Sequence, residues 1–257
     1  MEGSLEGKAI IVTGAGGGIG RDSSRLFAAA GARLMLADIG EQGLLETQEA
    51  IRADGFDADI VIVDVGAEDS VRNMVAQTIA RHGRLDGAFN NAAVEQAGKA
   101  LTDISLAEWE KSLRVDLTGV FLCLKHQIPA MLQNGGGSIV NTSSSIANAA
   151  IPNCAEYISA KTGVLGLTRA AAAEYGNQNI RVNAILPGII RTPMVQRLLD
   201  DPQIQVVFER SRERHLVGRF GEPSEVGELA KWLLSDASSF VHGASIPVDG
   251  GVGINGG

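Results

Sequence analysis

The stretch Thr13-Gly14-Ala15-Gly16-Gly17-Gly18-Ile19-Gly20 decides the fold. It follows the apolar run Ala9-Ile10-Ile11-Val12 and leads into a helical pattern over Ile19 to Ala30, closed by Gly31. A buried strand, a glycine turn and a helix in that order build a cradle for a diphosphate. Glycine lets the backbone turn and approach a ligand closely, and the helix N-terminus offers unpaired N–H groups to negative phosphate. The glycines that fix the turn are Gly14, Gly18 and Gly20, a G-x-x-x-G-x-G spacing rather than the usual G-x-G-x-x-G. Glycine-rich turns are common, so the surrounding chain has to carry the rest of the argument.

Arg33-Leu34-Met35-Leu36-Ala37-Asp38 reads as a second buried strand that ends in an acid, 18 residues after Gly20. In a strand–turn–helix–strand unit such an acid faces the adenosine ribose, where it accepts hydrogen bonds from the hydroxyls and repels a 2′-phosphate. Neither the glycine turn nor the residues just after Asp38 supply an arginine or lysine to attract that phosphate, which favours NAD over NADP. Asp38 also suits the cap of a helix starting near Glu41, and the two roles are compatible.

The 257 residues carry 30 acidic against 22 basic side chains, a formal net charge of −8, with 45% hydrophobic residues and 32 glycines. That is a globular, loop-punctuated composition without a basic stripe, which argues against nucleic acid or an anionic membrane as partner. No apolar run approaches the roughly 18 residues of a membrane span, and the first residues lack the pattern of a secretory signal, so a cytoplasmic protein is expected. Cys123 and Cys154 form no disulfide framework or metal cluster. His82, His126, His215 and His242 are dispersed, so each reads as a surface or structurally satisfied histidine, and no metal is expected.

Further strands are expected at Ile60–Val63, Leu85–Phe89, Ser138–Thr142, Arg181–Leu186 and Ile246–Val248. Helices fall at Glu41–Ala53, Glu68–Arg81, Ser105–Gln133 as one long or two consecutive pieces, Ala155–Tyr175, and from Pro223. The strands are almost wholly apolar rather than alternating, as in a parallel sheet covered on both faces. Strand–helix alternation over the whole chain implies one doubly wound, Rossmann-like α/β domain, residues 1–257, with 189–216 a small excursion placed to cover a ligand.

Tyr157 and Lys161 stand four apart on an expected helix and so share a face, and Ser144 follows the fifth strand 13 residues earlier. A phenol is a weak base at neutral pH, but an adjacent ammonium favours the phenolate. Lys161 is therefore expected to lower the Tyr157 pKa while binding ribose hydroxyls, with Ser144 donating to a substrate oxygen. A lone Tyr-x-x-x-Lys on a helix would be ordinary; its place after the glycine turn, Asp38 and Ser144 is not.

With these residues in hand, the chain from about Leu5 to Val252 resembles the short-chain dehydrogenase/reductase family. The resemblance rests on Thr13–Gly20, Asp64-Val65, Asn90-Asn91-Ala92-Ala93, Ser144, Tyr157-Ile158-Ser159-Ala160-Lys161, Asn183, Pro187-Gly188, Thr192 and Pro247-Val248-Asp249-Gly250-Gly251. It implies a mainly parallel seven-stranded sheet and an NAD-dependent alcohol dehydrogenase/reductase, homotetrameric or sometimes homodimeric through the two long middle helices and the last helix and strand. Ser144 would polarise the substrate oxygen, Tyr157 would exchange its proton, and Lys161 would hold the cofactor and tune the tyrosine. Gly14, Gly17, Gly18, Ile19, Gly20 and Asp38 would hold the cofactor's adenosine diphosphate side, Asp64 and Val65 would meet adenine, and Asn90 and Ala92 would border the ribose. Pro187, Gly188, Ile190 and Thr192 would lie toward the carboxamide and phosphate end.

One departure bears on the chemistry: Asp116 stands where the family usually has an asparagine that holds a water in a proton relay to the lysine. A carboxylate accepts hydrogen bonds but cannot donate as an amide does, and its charge acts on Lys161. Ala93 and Ala147 replace frequent glycines, smaller losses of backbone freedom.

For the substrate, Val94, Glu95, Gln96, Ser145, Ile146, Asn153, Cys154, Ile189 and Met194 are pocket candidates. They include several apolar residues and no arginine clamp, which favours a neutral, hydrophobic secondary alcohol or its ketone. The stretches Asp86–Ala93, Gly119–Lys125 and Arg191–Met194 are similar to those of bacterial members that oxidise cyclic alcohols or diols. The alternatives are a biosynthetic ketone reductase of the β-ketoacyl carrier-protein type, against which Asp38 speaks, and a catalytically weak nucleotide-binding scaffold.

Overall fold

Ile10 and Val12 enter the core on one side of the first strand and Ile11 on the other, all with no exposed surface. A strand apolar at successive positions satisfies both side chains only if helices cover both faces of its sheet. The computed structural model, which describes residues 3–149, 151–193, 195–196 and 212–254, shows that arrangement. Strands β1 (Ala9–Thr13), β2 (Arg33–Asp38), β3 (Ala58–Ile62), β4 (Gly87–Asn90), β5 (Gly137–Thr142), β6 (Ile180–Pro187) and β7 (Ser245–Val248) form one sheet in the order β3-β2-β1-β4-β5-β6-β7. Every pairing is parallel. The fold is the doubly wound, seven-stranded one expected.

Helices α1 (Gly18–Ala29) and α2 (Glu41–Ala53) cover one face with the late helix α7 (Pro223–Leu234). Their core includes Phe27, Leu36, Leu44, Val226 and Leu233, with Phe27 set edge-on to Phe89 at 6.0 Å between ring centroids. Helices α3 (Glu68–His82), α5 (Gly119–Leu132) and α6 (Ala155–Tyr175) cover the other face over Ile11, Met74, Leu122, Ile139 and Val164. Each such side chain contributes on the order of 2 kcal/mol through the area it removes from water.

Two strands are displaced from their expected bounds. The expected strand Leu85–Phe89 is found at Gly87–Asn90; Asp86 just before it already bonds to both flanking strands, its N–H donating to Ala9 O at 2.9 Å and its carbonyl O accepting from Ser138 N–H at 3.0 Å, while its carboxylate accepts from Ala9 N–H at 2.9 Å and from Arg84. The third strand starts at Ala58, opposite Leu34, two residues before the apolar run that marked it.

The largest departure lies in the expected helix Ser105–Gln133. A capping box, in which Ser105 Oγ accepts from Glu108 N–H and Glu108 accepts from Ser105 N–H, starts α4 (Leu106–Leu113). One π-turn, Arg114–Thr118, then intervenes before α5. Such a turn inserts an extra residue into the ladder and re-aims the side chains it carries, here Asp116.

Beyond β6 the two feet of the expected lid are tied together. Ile190 bridges to Gly221, Arg191 N–H donates to Gly221 O at 2.8 Å, and Gly221 N–H returns to Ile189 O at 3.0 Å. Met194 and 197–211, the rest of that excursion, lie outside the described residues. Among the described residues no helix is long and apolar enough to cross a membrane, and no three His, Cys, Asp or Glu side chains gather as a metal site would need.

Candidate active site

Parallel strands bring their C-terminal ends to one edge of the sheet, and the strand order reverses between β1 and β4, where a crevice opens. Thr13, Asp38, Asn90, Thr142 and Pro187 all end strands at that edge. Thr13 stitches the crevice: its Oγ1 accepts from Asn91 N–H at 3.0 Å and Ala92 N–H at 3.1 Å.

The glycine turn lies across this crevice with little room to spare. Gly14, at φ +68°, lies so close to the neighbouring chain that a Cβ would sit 2.9 Å from Ala92 Cα. At Gly20 it would sit 2.0 Å from Gly14 O, so α1 is pressed onto the turn. At Gly18, φ +51°, it would meet the Thr192 methyl at 3.1 Å, which places Thr192 beside the turn. Gly17, in contrast, is extended and open: a Cβ there would touch nothing within 4 Å. The close-packed glycines shape the turn and the open one leaves its outer side free for a ligand. Ile19 follows them in the first turn of α1.

Asp38 closes this end. Its Oδ2 accepts from Gly16 N–H at 2.9 Å and its Oδ1 from Gly40 N–H at 2.9 Å, which fixes a negative charge against the turn. Arg21, one residue beyond Gly20, is the nearest cation in sequence. Its Nη2 is held by Gly16 O at 2.7 Å and Glu46 Oε2 at 2.7 Å, so it is already paired. At the outer rim Arg114 grips Asp64 at 2.8 and 3.0 Å. Burial opposes ionisation of Asp64, but that grip and the Gly66 N–H outweigh it and hold its carboxyl below the usual range. Val65 beside it packs on the start of α5 at Gly119.

Asn90 is turned away from the crevice floor. Its amide donates to Asn141 Oδ1 at 3.0 Å and Gln127 Oε1 at 3.1 Å, and accepts from Gln127 at 2.9 Å; Asn141 passes the chain on to Thr168. Its side chain thus ties β4 to β5 and to the helices beneath, leaving the backbone of Asn90 and the small Ala92 toward the crevice.

Ser144, Tyr157 and Lys161 converge at the end of β5. The Ser144 side chain lies close enough to the Tyr157 phenol to lower its pKa, and Lys161 Nζ lies 5.4 Å from the centroid of the Tyr157 ring. Lys161 is fully buried, donates to Thr142 O at 3.3 Å, and has its backbone pinned by Ser143 Oγ at 2.7 Å. Asp116 Oδ1 stands 3.8 Å from the ammonium. The π-turn carries Asp116 there, and Val94 N–H at 2.9 Å and Ser112 Oγ at 3.2 Å hold its two oxygens.

The charges do not act as the sequence suggested. Burial pushes the Tyr157 phenol up from its ordinary value, Asp116 adds to the rise, and only the Ser144 side chain opposes it. Lys161 is shifted down by burial, which Asp116 resists, and Asp116 is shifted up by burial, which Lys161 resists. The expected lowering of the phenol by Lys161 is therefore corrected: burial is the largest influence on Tyr157 and raises it, and the Asp116 charge adds to that rise. Burial likewise raises Cys154, with Glu156 adding to it, and takes Cys123 up to about 12, so neither thiol is poised as a nucleophile.

Two residues without a sequence signal belong to this region. His215 is buried, 5.6 Å from the Phe220 ring, and its Nε2 accepts from Ile189 N–H at 3.3 Å just beyond Pro187-Gly188, so it seats the returning foot of the excursion on β6. Glu156, between Cys154 and Tyr157, is buried with one oxygen on Ala97 N–H at 2.6 Å. A lone histidine and a helix glutamate have no spacing rule that would single them out.

Residues 14–253 match the family described as Enoyl-(Acyl carrier protein) reductase. The chain is 47% identical over 248 residues to a 2,5-dichloro-2,5-cyclohexadiene-1,4-diol dehydrogenase of Sphingobium indicum, covering 96% of this chain and 97% of that one. It is 40% identical to cis-4-hydroxycyclohexanecarboxylate dehydrogenase of Sinomonas cyclohexanicum, over 94% of each chain. The crystal structure of levodione reductase superposes with a TM-score of 0.93 at 37% identity, covering 97% of this chain and 98% of that one. The chain therefore belongs to the short-chain dehydrogenase/reductase family, and it is an NAD-dependent oxidoreductase.

Proposed function

We propose that the protein oxidises a cyclic or otherwise hydrophobic secondary alcohol to its ketone, reversibly. The observation that carries this reading is the convergence of Ser144, Tyr157 and the buried Lys161 beyond the end of β5, and the relatives' cyclic alcohol substrates support the class. Gly14, Gly17, Gly18, Ile19, Gly20 and Asp38 would hold the adenosine diphosphate side of the dinucleotide, with Asp64, Val65 and the Asn90–Ala92 backbone around its adenosine. Lys161, Pro187, Gly188, Ile190 and Thr192 would hold its other end. When bound, that cofactor supplies the hydride acceptor.

The protein handles the proton and the orientation. Ser144 Oγ–H would donate to the alcohol oxygen, Tyr157 Oη as phenolate would take the hydroxyl proton, and Lys161, 5.4 Å from the centroid of the phenol ring, would hold the cofactor's ribose beside it. In ketone reduction the same phenol returns the proton. The described feet of the expected cover, beside the crevice, are fixed by the Ile190–Gly221 bridge and by His215. We further propose a homotetramer, for which the exposed face of α6 provides a contact surface. The two free cysteines fit a cytoplasmic setting.

The test is a panel of cyclic alcohols and ketones, assayed with NAD and with NADP. Turnover with NAD and a cyclic secondary alcohol is expected; faster reduction of an acyl thioester with NADPH would replace the reading by a carrier-protein reductase. The charge of Asp38 stands against that second cofactor.

A further inference from the structure

Asn91 to Ala100 runs from β4 to a 3₁₀ turn at Leu101–Asp103 without regular structure, so its course depends on what holds its backbone N–H groups. Two buried carboxylates do so from two helices. Asp116, on the π-turn, accepts from Val94 N–H at 2.9 Å, and Glu156, on α6, accepts from Ala97 N–H at 2.6 Å. Asp116 is the ion-pair partner of Lys161, and Glu156 immediately precedes Tyr157. The segment between these two clasps, Val94–Ala97, therefore runs alongside the proton-handling pair.

Glu156 is a costly residue to place there. It is 1% exposed, and its second oxygen, Oε2, is buried without a hydrogen-bond partner. A buried carboxylate with an unmatched oxygen is disfavoured against an apolar side chain of similar size. Its place in the first turn of a 21-residue helix offsets a part of this through the helix dipole. What only an acceptor does at this position is hold Ala97 N–H.

We propose that Glu156 is a positioning residue which, through Ala97, fixes the Val94–Ala97 segment as the alcohol-facing wall of the site. This rests on the alcohol dehydrogenase reading. It assigns Glu156 to substrate fit, acting on the Val94–Ala97 part of the loop, whereas the Asn91–Ala92 end beside the dinucleotide cradle is held separately by Thr13.

The experiment compares Glu156→Ala and Glu156→Gln with the parent by hydrogen exchange over 91–100 and by steady-state kinetics with a cyclic alcohol and NAD. In Glu156→Ala, exchange over 94–97 is expected to quicken and the alcohol KM to rise about tenfold, with the KM for NAD within about twofold of the parent. The Gln variant keeps an acceptor for Ala97 and is expected to restore both. Unchanged exchange in the Ala variant would overturn the proposal, as would a proportional loss of NAD and alcohol binding or a failure of Gln to rescue. If the parent itself oxidises no cyclic alcohol, the functional reading fails on the panel. The exchange comparison still decides whether Glu156 holds the loop.

Discussion

Asp116 is expected to move the working pH of the pair it faces through its charge. Tyr157 must lose its proton to act as base in oxidation, and Asp116 raises its pKa; Lys161 must keep its proton, and Asp116 raises that pKa as well. Asp116→Asn removes the carboxylate charge and keeps a side-chain oxygen for Val94 N–H. Both pKa values then fall: the acid limb of kcat/KM for alcohol oxidation, set by Tyr157, moves to lower pH, and so does the alkaline limb, set by Lys161. NAD affinity is expected to stay near the parent's. A pH–rate profile that stays in place or moves upward would show that Asp116 does not act on these groups through its charge. Tyr157→Phe removes the hydroxyl proposed to take the proton while preserving the ring beside Lys161. It is expected to lower kcat by about 10²–10⁴-fold, measured as NADH formation, without weakening NAD binding in equilibrium titration. Ser144, Tyr157 and Lys161 were legible in the sequence because four-residue helical spacing and the position after β5 follow chain order. The direction of the Tyr157 shift was not, since it depends on how deeply the phenol is buried and then on how close Asp116 is brought by the π-turn.

At the scale of elements, the β1–α1 turn separates glycines that shape the backbone from one that leaves space. Gly20→Ala would drive a Cβ to 2.0 Å from Gly14 O, and backbone on backbone has nowhere to yield, so α1 must lift from the turn. That variant is expected to lose several degrees of Tm together with NAD affinity. Gly17 is extended and its outer side is open, so Gly17→Ala fits the fold at a cost of about 1 kcal/mol or less, as the N-cap of α1. It is expected to keep a near-parental Tm in a thermal melt and still weaken NAD binding, because the methyl occupies the side from which the diphosphate approaches. Equal NAD affinity in Gly17→Ala and parent would mean that the cradle does not use this face. The same elements show how far a pattern reaches. Apolar runs and glycine stops located strands and helices because burial on both sheet faces leaves its mark residue by residue. The break at Arg114–Thr118 left none: helix periodicity continues through Leu113, Leu117 and Phe121, and the extra residue is accommodated by packing against α6, where Gly163 makes room for Leu117.

At the scale of the whole molecule, the outer face of α6 is unlike the rest of the helix. Lys161, Val164, Leu165 and Thr168 are buried, while Thr162, Gly166, Ala170 and Ala173 are exposed at helical spacing and are small. The run Ala170–Ala173 is thus divided, with Ala171 and Ala172 packed inward and the other two outward. A Cβ at Gly166 would touch nothing within 4 Å, and the neighbouring α5 exposes Phe121 at 45%. Small residues on this face, with the exposed Arg169 at its margin, suit close approach of the same face on a second copy, because a two-fold axis sets each residue near its own counterpart. In the proposed tetramer Gly166→Arg would bring two cations together at that axis and remove the room for close approach, while the open surface around Gly166 leaves each subunit's fold intact. Sedimentation velocity is expected to give about four times the 26.8 kDa chain mass for the parent and about half of that for Gly166→Arg, with the thermal transition of each subunit retained. An assembly unchanged by the arginine would place the contact on another face, and a parent that sediments as a single chain would remove the tetramer altogether.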